Sequence, residues 1–406
     1  MKNLNQTQNH TESSYSIISF YRYININHPE QLQQQLTTFC TEHHLLGRIL
    51  LATEGINGAI CGQTTEIKLF QTFLQNNPTF QNITFREQSS PINTYHKLVI
   101  KIRKEIVAFG TPVNPKNTAD YLTPKQLNEL YLQQDQQKNQ KQKANKEEHS
   151  NLKDNHRQEF IVVDARNDYE FKVGRFKNAI PLKMHNFREF PNASKELEPH
   201  KDKKIILFCT GGIRCEKASA YLKEQGFPAV YHLKGGVIEY LNSDHHSNWE
   251  GGLFVFDDRL VSPSDTTLTN CTHCTKPSAQ YYNCYNVSCD QLFICCTSCI
   301  KEHQSCCSTK CEIAPRKRED KQQLQTIAIV QNFYEKPQVA YIKTITTIKV
   351  GDEIIIQGKT TFKKTTITEI RNEQNAQLTQ ASENQNVTIS IQTKARKNDK
   401  ICRVLS

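Results

Sequence analysis

A loop with a potentially reactive cysteine is the clearest chemical feature of this sequence. The loop reads Cys209-Thr210-Gly211-Gly212-Ile213-Arg214-Cys215, and it lies between a short apolar run and an amphipathic helical pattern. The paired glycines permit a tight turn that directs backbone N–H groups inward, and the helix N-terminus and Arg214 add positive charge. We therefore expect Cys209 to be ionised and solvent-accessible at neutral pH, as a nucleophile would be. A buried structural cysteine at a strand end is the alternative.

The spacing between Cys209 and Arg214 indicates what the loop can hold. Four residues separate them, whereas phosphatase loops of the tyrosine-phosphatase type have one more residue and wrap a phosphoryl group. The shorter loop suits a sulfur atom better than a tetrahedral phosphate. Cys215 is either a second reactive thiol, able to resolve a persulfide or to form a disulfide with Cys209, or a small residue packed in the helix.

The loop resembles the active loop of the rhodanese family, which typically reads Cys-x-x-Gly-x-Arg-Ser. Asp164-Ala165-Arg166 and residues 174–180 resemble two further rhodanese signatures. The resemblance implies that Cys209 carries a persulfide sulfur. It also suggests that Arg214 and the loop amides hold the charge of that sulfur, while Asp164 and Arg166 brace the loop. Cys215 stands where serine is usual in the family.

Other stretches resemble the rhodanese-type tRNA uridine hydroxylases, whose characteristic loop corresponds to residues 209–218, CTGGIRCEKA. These stretches are residues 51–58, 96–107, 187–191 and 254–257. The resemblance implies an oxidoreductase that uses molecular oxygen to convert the wobble uridine, position 34, of certain tRNAs to 5-hydroxyuridine. The implied partner is the tRNA anticodon loop, with an electron donor of unknown identity. The sequence carries no flavin, iron or nucleotide-binding signature.

Two other functions remain open on the sequence alone. One is a rhodanese-type sulfurtransferase that passes persulfide sulfur from Cys209 to a carrier or to tRNA. The other is a non-catalytic tRNA-binding or redox-sensing protein in which Cys209 and Cys215 form a regulatory disulfide.

A wobble base that leaves the anticodon loop needs a basic path to the cysteine. Candidate phosphate contacts are Arg22, Lys97, Lys101, Arg103, Lys104, Arg175 and Arg188. For any one of them, an ordinary solvated charge is the simpler explanation.

Ten of the fifteen cysteines lie between Cys271 and Cys311. Thiolates separated by two residues can reach one tetrahedral ion, so four pairs would hold two ions. Structural zinc is the predicted occupant, and redox thiols, disulfides or an iron–sulfur cluster are the alternatives. Sequential and interleaved pairings are both possible. The predicted ligands are Cys271, Cys274, Cys284, Cys289, Cys296, Cys299, Cys307 and Cys311.

The helices and strands predicted around these cysteines indicate a multidomain α+β and α/β protein. Residues 13–113 follow the β-α-β-β-α-β order of a ferredoxin-like (acylphosphatase-like) domain, with helices at 29–43 and 65–74, a turn at 55–58 and a strand at 83–85. Residues 158–250 alternate short apolar strands with helices, which predicts a parallel, doubly wound rhodanese domain. Cys209 falls at the carboxyl end of a strand, where sites in such sheets lie.

The remaining segments are a linker, a cysteine-rich module and a C-terminal β domain. Residues 114–157 are the predicted linker, and the polar stretch 133–148 predicts a disordered insertion within it. Residues 251–318 are the predicted zinc module. Residues 319–406 predict a small β-barrel that resembles the second domain of elongation factor Tu, with strands at 345–350, 353–357, 365–370 and 387–391. A tRNA-binding role and a stabilising role are both open for this domain.

Length and composition limit the number of domains, the kind of partner and the location that the sequence allows. The chain has 406 residues and a formal net charge of +10, which is enough for several domains and is compatible with a phosphate-bearing partner. It contains no apolar run long enough to span a membrane and no apparent signal peptide. The sequence therefore predicts a soluble, cytoplasmic protein.

Overall fold

The computed structural model describes residues 15–147, 160–318, 324–358 and 362–404. The chain forms two compact units, Met1–Thr269 and Asn270–Ser406. The loop that begins at Cys209 belongs to the first unit, and the cysteine cluster belongs to the second.

The N-terminal part of the first unit is a five-stranded sheet packed against two helices. Its strand order, β4-β1-β3-β2-β5, is the expected ferredoxin-like order with one further strand, β5, parallel to β2 at the edge. Helix α1 starts at a proline and buries Leu32, Leu36 and Cys40, one residue per turn, in the core. The elements are β1 (Tyr15–Tyr23), α1 (Pro29–Glu42), β2 (Leu46–Ala52), β3 (Gly55–Gln63), α2 (Thr64–Gln75), β4 (Phe85–Ser90) and β5 (Leu98–Ile102).

Two details of this sheet differ from the sequence prediction. The turn predicted at residues 55–58 is instead the two-residue turn Thr53-Glu54, and the glycines belong to β3. They mark close packing rather than a turn, because a Cβ on Gly58 would lie 2.5 Å from the ring of Phe20. The strand predicted at 83–85 begins only at Phe85 and continues to Ser90 as the partner of β1.

The second part of the first unit is built on a parallel sheet of order β6-β11-β10-β7-β9. Two further strands, β8 and β12, form a separate antiparallel pair. The strands are β6 (Asp120–Leu122), β7 (Phe160–Asp164), β8 (Gly174–Phe176), β9 (Ile180–Pro181), β10 (Lys204–Phe208), β11 (Val230–Leu233) and β12 (Trp249–Gly251). The helices are α3 (Pro124–Glu147), α4 (Asp168–Val173), α5 (Phe190–Ala193), α6 (Ile213–Glu224) and α7 (Gly236–Leu241).

One strand and one helix come from the segment predicted as a linker. Strand β6 pairs with β11 at the sheet edge, and α3 packs Leu127 and Tyr131 into the same core as Phe160. The prediction of a disordered insertion is therefore wrong over residues 133–147, which continue this helix. Glutamine, lysine and alanine favour helices, and the apolar first turns anchor the polar remainder. Residue 148 lies outside the described residues.

The second unit begins with the cysteine-rich segment, whose regular elements are short. They are β13 (Tyr281–Asn283), β14 (Leu292–Ile294), α8 (Thr297–Glu302) and α9 (Thr309–Glu312). Strands β13 and β14 form a hairpin. The core of the segment consists largely of cysteine side chains around Phe293.

The C-terminal strands form an eight-stranded sheet of order β19-β18-β24-β15-β16-β23-β20-β21 and a separate β17-β22 pair. The predicted barrel is not found, because within the described ranges no pairing joins the end strands β19 and β21. The strand predicted at 365–370 is divided between β19 and β20. The strands are β15 (Leu324–Tyr334), β16 (Val339–Thr344), β17 (Ile348–Lys349), β18 (Glu353–Gln357), β19 (Phe362–Thr366), β20 (Glu369–Arg371), β21 (Gln377–Leu378), β22 (Gln380–Ala381), β23 (Asn386–Ser390) and β24 (Lys400–Val404).

None of the helices in the described part of the chain has the length and apolar character that crossing a bilayer requires.

Candidate active site

Cys209 directly follows β10 and begins the loop that leads into α6. The last four residues of β10 are buried, and Cys209 itself is 0% exposed. The accessible thiol expected from the sequence is therefore not what the structure contains, because the strand ends inside the core and the loop folds over the sulfur. The Gly212 N–H donates to Cys209 Sγ over 3.1 Å, and Gly212 has the left-handed φ of +96°.

The surroundings of Cys209 favour its thiolate. Burial alone would raise its pKa. The Cys215 thiol, the charge of Arg214 and the backbone N–H groups of these two residues outweigh that effect and lower the pKa from 9.0 to about 6. Cys209 is therefore mostly ionised at neutral pH, even though its sulfur is fully buried.

Cys215 has the opposite character. Burial and the adjacent Cys209 raise the pKa of Cys215 well above 9.0. Cys215 therefore keeps its proton and donates it in a hydrogen bond to the Cys209 thiolate. Its side chain is buried in the core of the parallel sheet, so it also fills the packing role that the sequence left open.

Arg214 is held by a buried carboxylate that the sequence analysis missed. Its Nη1 and Nη2 donate to the two carboxylate oxygens of Glu170 over 2.6 and 2.9 Å, and Nη2 also donates to Thr210 Oγ1 over 3.1 Å. The Thr210 hydroxyl donates to Glu170 as well. Burial raises the pKa of Glu170, but Arg214 more than offsets this and lowers it. In the sequence, the spacing Asn167-x-x-Glu170 is typical of the start of a helix. It therefore indicates a capping role for Glu170 and gives no sign of the ion pair with Arg214.

Asp164 and Arg166 form a second buried ion pair, at the end of β7. Arg166 Nη2 donates to Asp164 Oδ2 over 2.6 Å and to the Gly174 carbonyl over 2.7 Å. The guanidinium lies between the rings of Phe208 and Trp249, with its carbon 5.2 and 5.1 Å from their centroids. Asp164 is the partner of Phe208 in the sheet. The pair therefore fixes the strand end from which the cysteine loop starts.

The start of α7 supports the loop from the other side. The Val237 N–H donates to the Cys209 carbonyl over 2.9 Å, and the Ile238 N–H donates to the Thr210 carbonyl over 3.0 Å. This approach requires glycine at position 236. Gly236 has φ +67°, and a Cβ there would lie 2.5 Å from the Cys209 carbonyl oxygen.

The N-terminal sheet is fastened to helix α6 immediately after the loop. The Tyr21 hydroxyl of β1 donates to Glu216 Oε1 over 2.8 Å, and the Tyr121 hydroxyl of β6, in the parallel sheet, donates to the same atom over 2.9 Å. The Tyr23 hydroxyl donates to the Ile213 carbonyl over 3.3 Å. Glu216 is buried, so the two tyrosine hydroxyls supply its carboxylate with the hydrogen bonds that a buried polar group needs.

A lysine completes this attachment. Lys217 is 2% exposed, and its Nζ donates to Glu54 over 2.9 Å and to Glu105 over 2.8 Å. Glu54 also accepts from the Ile106 N–H, and Asn57 donates to the Ile106 carbonyl. Residues 51–58 and 96–107 thus contact the loop helix directly, a relation that the sequence motifs alone did not reveal.

A cavity of about 530 Å³ lies between the N-terminal sheet and the cysteine loop. The loop contributes Thr210, Gly211, Ile213 and Arg214 to its lining, and β1, β2, β3 and β4 supply much of the remainder. Cys209 is not among the lining residues. Because its sulfur is buried, direct contact with a bound molecule requires the loop to move.

The cysteines of the second unit gather in two groups of four. The groups are Cys271, Cys274, Cys296 and Cys299, and Cys284, Cys289, Cys307 and Cys311. These are the eight predicted ligands, and the pairing is the interleaved one. All fifteen cysteines are free thiols.

The spacing of the sulfurs fits a tetrahedral thiolate site. Sγ–Sγ distances are 3.7 Å for Cys274–Cys296 and 3.8 Å for both Cys289–Cys307 and Cys307–Cys311. A tetrahedral ion with metal–sulfur bonds of about 2.3 Å separates its ligands by about 3.8 Å. Both groups are therefore able to bind a metal ion.

Models of known protein families match three consecutive stretches of the chain. Residues 15–106 match the UPF0176 acylphosphatase-like domain, residues 145–243 the rhodanese-like domain, and residues 250–312 the rhodanese C-terminal region. The protein is thus a mixed α/β multidomain protein with an acylphosphatase-like N-terminal domain and a rhodanese domain.

Curated relatives match most of the chain. The chain is 34% identical over 316 residues to the tRNA uridine(34) hydroxylase of Chlamydia abortus, covering 76% of this chain and 90% of that protein. It is 35% identical over 324 residues to the protein of the same name from Chlamydia trachomatis, covering 76% and 89%. The chain is also similar to a solved rhodanese-like domain from Anabaena sp., with 24% sequence identity and a TM-score of 0.19. The match covers 23% of this chain and 66% of the Anabaena chain.

The contact between Gly236 and the cysteine loop can be tested by substitution. We expect Gly236→Ala to destabilise the fold by about 1–3 kcal/mol, because a left-handed φ is strained for alanine and the Cβ meets backbone atoms of the loop. The measurement is urea unfolding followed by the fluorescence of Trp249, the single tryptophan. The matched control is Gly211→Ala, where an added Cβ meets nothing within 4 Å and the change should stay within about 0.5 kcal/mol. Equal effects of the two substitutions would contradict the assigned contact.

Proposed function

Because the chain belongs to the tRNA uridine(34) hydroxylase family, we propose that it hydroxylates uridine 34 of tRNA at C5 with molecular oxygen, and that Cys209 is its reactive sulfur. The observation that carries this proposal is the lowered pKa of Cys209, about 6, beside a cavity large enough for a nucleotide. The anticodon loop is the part of tRNA that supplies a single-stranded base. A cytoplasmic location belongs to the same proposal.

After a movement of the loop that exposes the buried sulfur to the cavity, the reaction begins with addition of the Cys209 sulfur to C6 of the uracil ring. The ring charge then resides on an enolate between C5 and the C4 oxygen, and loop N–H groups such as that of Gly212 are the donors available to stabilise it. A thiolate serves as the nucleophile directly. A persulfide would place the reactive sulfur about 2 Å further from the cysteine.

Carbon C5 of the enolate takes the hydroxyl oxygen from O₂. The second oxygen atom leaves as water after accepting two electrons and two protons from an external donor. Loss of the C5 proton and departure of the Cys209 sulfur then restore the ring double bond. Cys215, whose pKa is raised, holds a proton beside the departing sulfur throughout this sequence.

The role of Cys209 is tested by Cys209→Ser. The variant and the wild type are expressed in cells that lack other routes to 5-hydroxyuridine, and tRNA nucleosides are measured by mass spectrometry. We expect the modification to be lost, because serine is not ionised at neutral pH and is a far weaker nucleophile. Cys40→Ser is the control: burial raises the pKa of Cys40 to about 12, it lies in α1, and its substitution should preserve the modification.

Full retention of 5-hydroxyuridine in Cys209→Ser would contradict the proposal. The sulfurtransferase alternative is supported only by the rhodanese domain. Rapid thiosulfate:cyanide turnover by the wild type, with no change in tRNA nucleosides when its gene is deleted, would favour that alternative.

We propose that both cysteine groups bind structural zinc. All eight predicted ligands are thiolate donors, which suit zinc, and each group joins segments far apart in sequence. Zinc would be held by the four sulfurs of each group and would contribute to the folding of a segment that has few other apolar side chains in its core.

Elemental analysis of the purified full chain tests this assignment. We expect two zinc ions per chain, and loss of metal together with unfolding of the segment in Cys274→Ser. Cys402→Ser, which removes a buried cysteine from strand β24, should keep both ions. Fully folded wild-type protein without zinc would refute the assignment.

A further inference from the structure

The cavity beside the cysteine loop has an unusual charge. Among the residues that the structure describes, its lining includes four arginines, Arg48, Arg86, Arg188 and Arg214, and no aspartate or glutamate. Arg214 keeps its charge, but the ion pair with Glu170 offsets it in the net charge of the cavity wall. The positive charge of the cavity therefore comes mainly from the other three guanidinium groups, and it favours an anionic ligand.

Two of these arginines come from the N-terminal sheet. Arg48 lies on β2 with an exposed side chain, and Arg86 lies on β4 with its guanidinium carbon 5.1 Å from the centroid of the Tyr21 ring. The Nε of Arg86 is buried and has no hydrogen-bond partner in the described part of the chain. A buried guanidinium nitrogen without an acceptor is costly, and an anionic oxygen in the cavity would satisfy it.

The third arginine comes from the opposite side. Arg188 is exposed and lies in the short 3₁₀ turn Phe187–Glu189, against Gly110. Within the described residues, neither Arg48, Arg86 nor Arg188 forms an ion pair with a carboxylate. Of the seven basic residues that the sequence analysis considered as phosphate contacts, Arg188 alone lines the cavity.

The cavity also has an exposed aromatic ring. Phe256 is 56% exposed, which is unusual for phenylalanine, and its ring packs edge-on against Phe254 at 5.3 Å. The guanidinium carbon of Arg214 lies 5.8 Å from the centroid of Phe256. An exposed ring with its edge held in place is suited to stack on a nucleobase.

We propose that this cavity binds one extruded nucleotide of an RNA strand, with Arg48, Arg86 and Arg188 on the phosphates and Phe256 stacked on the base. The combination of several guanidinium groups and a stacking platform matches the chemistry of single-stranded RNA. The N-terminal sheet is then part of the nucleotide site and not only a support for helix α6. That the bound nucleotide is uridine 34 rests on the proposed function; the binding of an RNA nucleotide does not.

The test uses the full chain and a fluorescently labelled anticodon stem-loop RNA with uridine at position 34. Binding is followed by fluorescence anisotropy over a series of salt concentrations. Arg48→Gln, Arg86→Gln and Arg188→Gln should each weaken binding about tenfold and reduce the slope of log K against log salt by about 0.7–1, as expected for one lost phosphate contact. Lys68→Gln is the matched control, since Lys68 is exposed on α2 of the same domain and does not line the cavity, and its affinity and slope should equal those of the wild type.

Phe256→Ala should weaken binding by about five- to hundredfold, the range of one base stacked on an aromatic ring. Tyr334→Ala removes another exposed aromatic ring, outside the cavity, and should have no effect. With an RNA whose position 34 is abasic, the Phe256→Ala effect should disappear while the arginine effects persist. The fluorescence of Trp249 verifies that each variant is folded.

Wild-type affinity and salt slope in all three arginine variants would overturn the proposal, as would equal losses in Lys68→Gln. Wild-type affinity of Phe256→Ala for the intact RNA would overturn the base-stacking part, and an unchanged Phe256→Ala effect on the abasic RNA would show that the stacked base is not the one at position 34. If the arginine and Phe256 effects are found but the wild type forms no 5-hydroxyuridine, the nucleotide site stands and the proposed reaction fails. The two outcomes are therefore distinguishable.

Discussion

A charged sulfur held inside a protein core is the constraint on which the rest of this structure depends. Burial opposes ionisation of Cys209, so the thiolate requires compensation from its immediate surroundings. The Cys215 thiol, the Arg214 guanidinium and the loop N–H groups supply it. Arg214 is itself fixed by Glu170 and Thr210, which keeps a positive charge beside the sulfur in one position. The loop thus surrounds the thiolate with a fixed guanidinium group and fixed N–H donors.

The architecture around the loop follows from that requirement. The ion pair of Asp164 and Arg166 fixes the strand end before the loop, and Gly236 allows the start of α7 to approach it closely. The N-terminal sheet holds the next helix through hydrogen bonds to Glu216 and ion pairs to Lys217. Because the same sheet also lines the cavity, one interface both positions the cysteine loop and shapes the space in front of it.

The sequence predicted features whose chemistry is local. The spacing from Cys209 to Arg214 indicated an anion-holding loop, and the cysteine spacing indicated the eight residues that meet in two groups. The sequence did not reveal hydrogen-bond partners that come from distant segments. Tyr21 and Glu216 are 195 residues apart, and no local pattern encodes their hydrogen bond. The polar stretch after position 133 was misjudged because an exposed helix and a disordered segment share a composition. Burial of Cys209 was missed because it depends on how the loop folds back.

The most direct test of this account is a pH titration of the ultraviolet thiolate absorbance of the native protein, with Cys209→Ser as the reference. The account predicts that the wild type gains one thiolate with a midpoint near pH 6, a step that the variant lacks. Because the pKa is lowered by folding, this thiolate should also stabilise the protein fully above pH 9.0 and progressively less as the pH falls through 6. A difference between the two proteins that arises only near the ordinary thiol pKa of 9.0 would contradict the account.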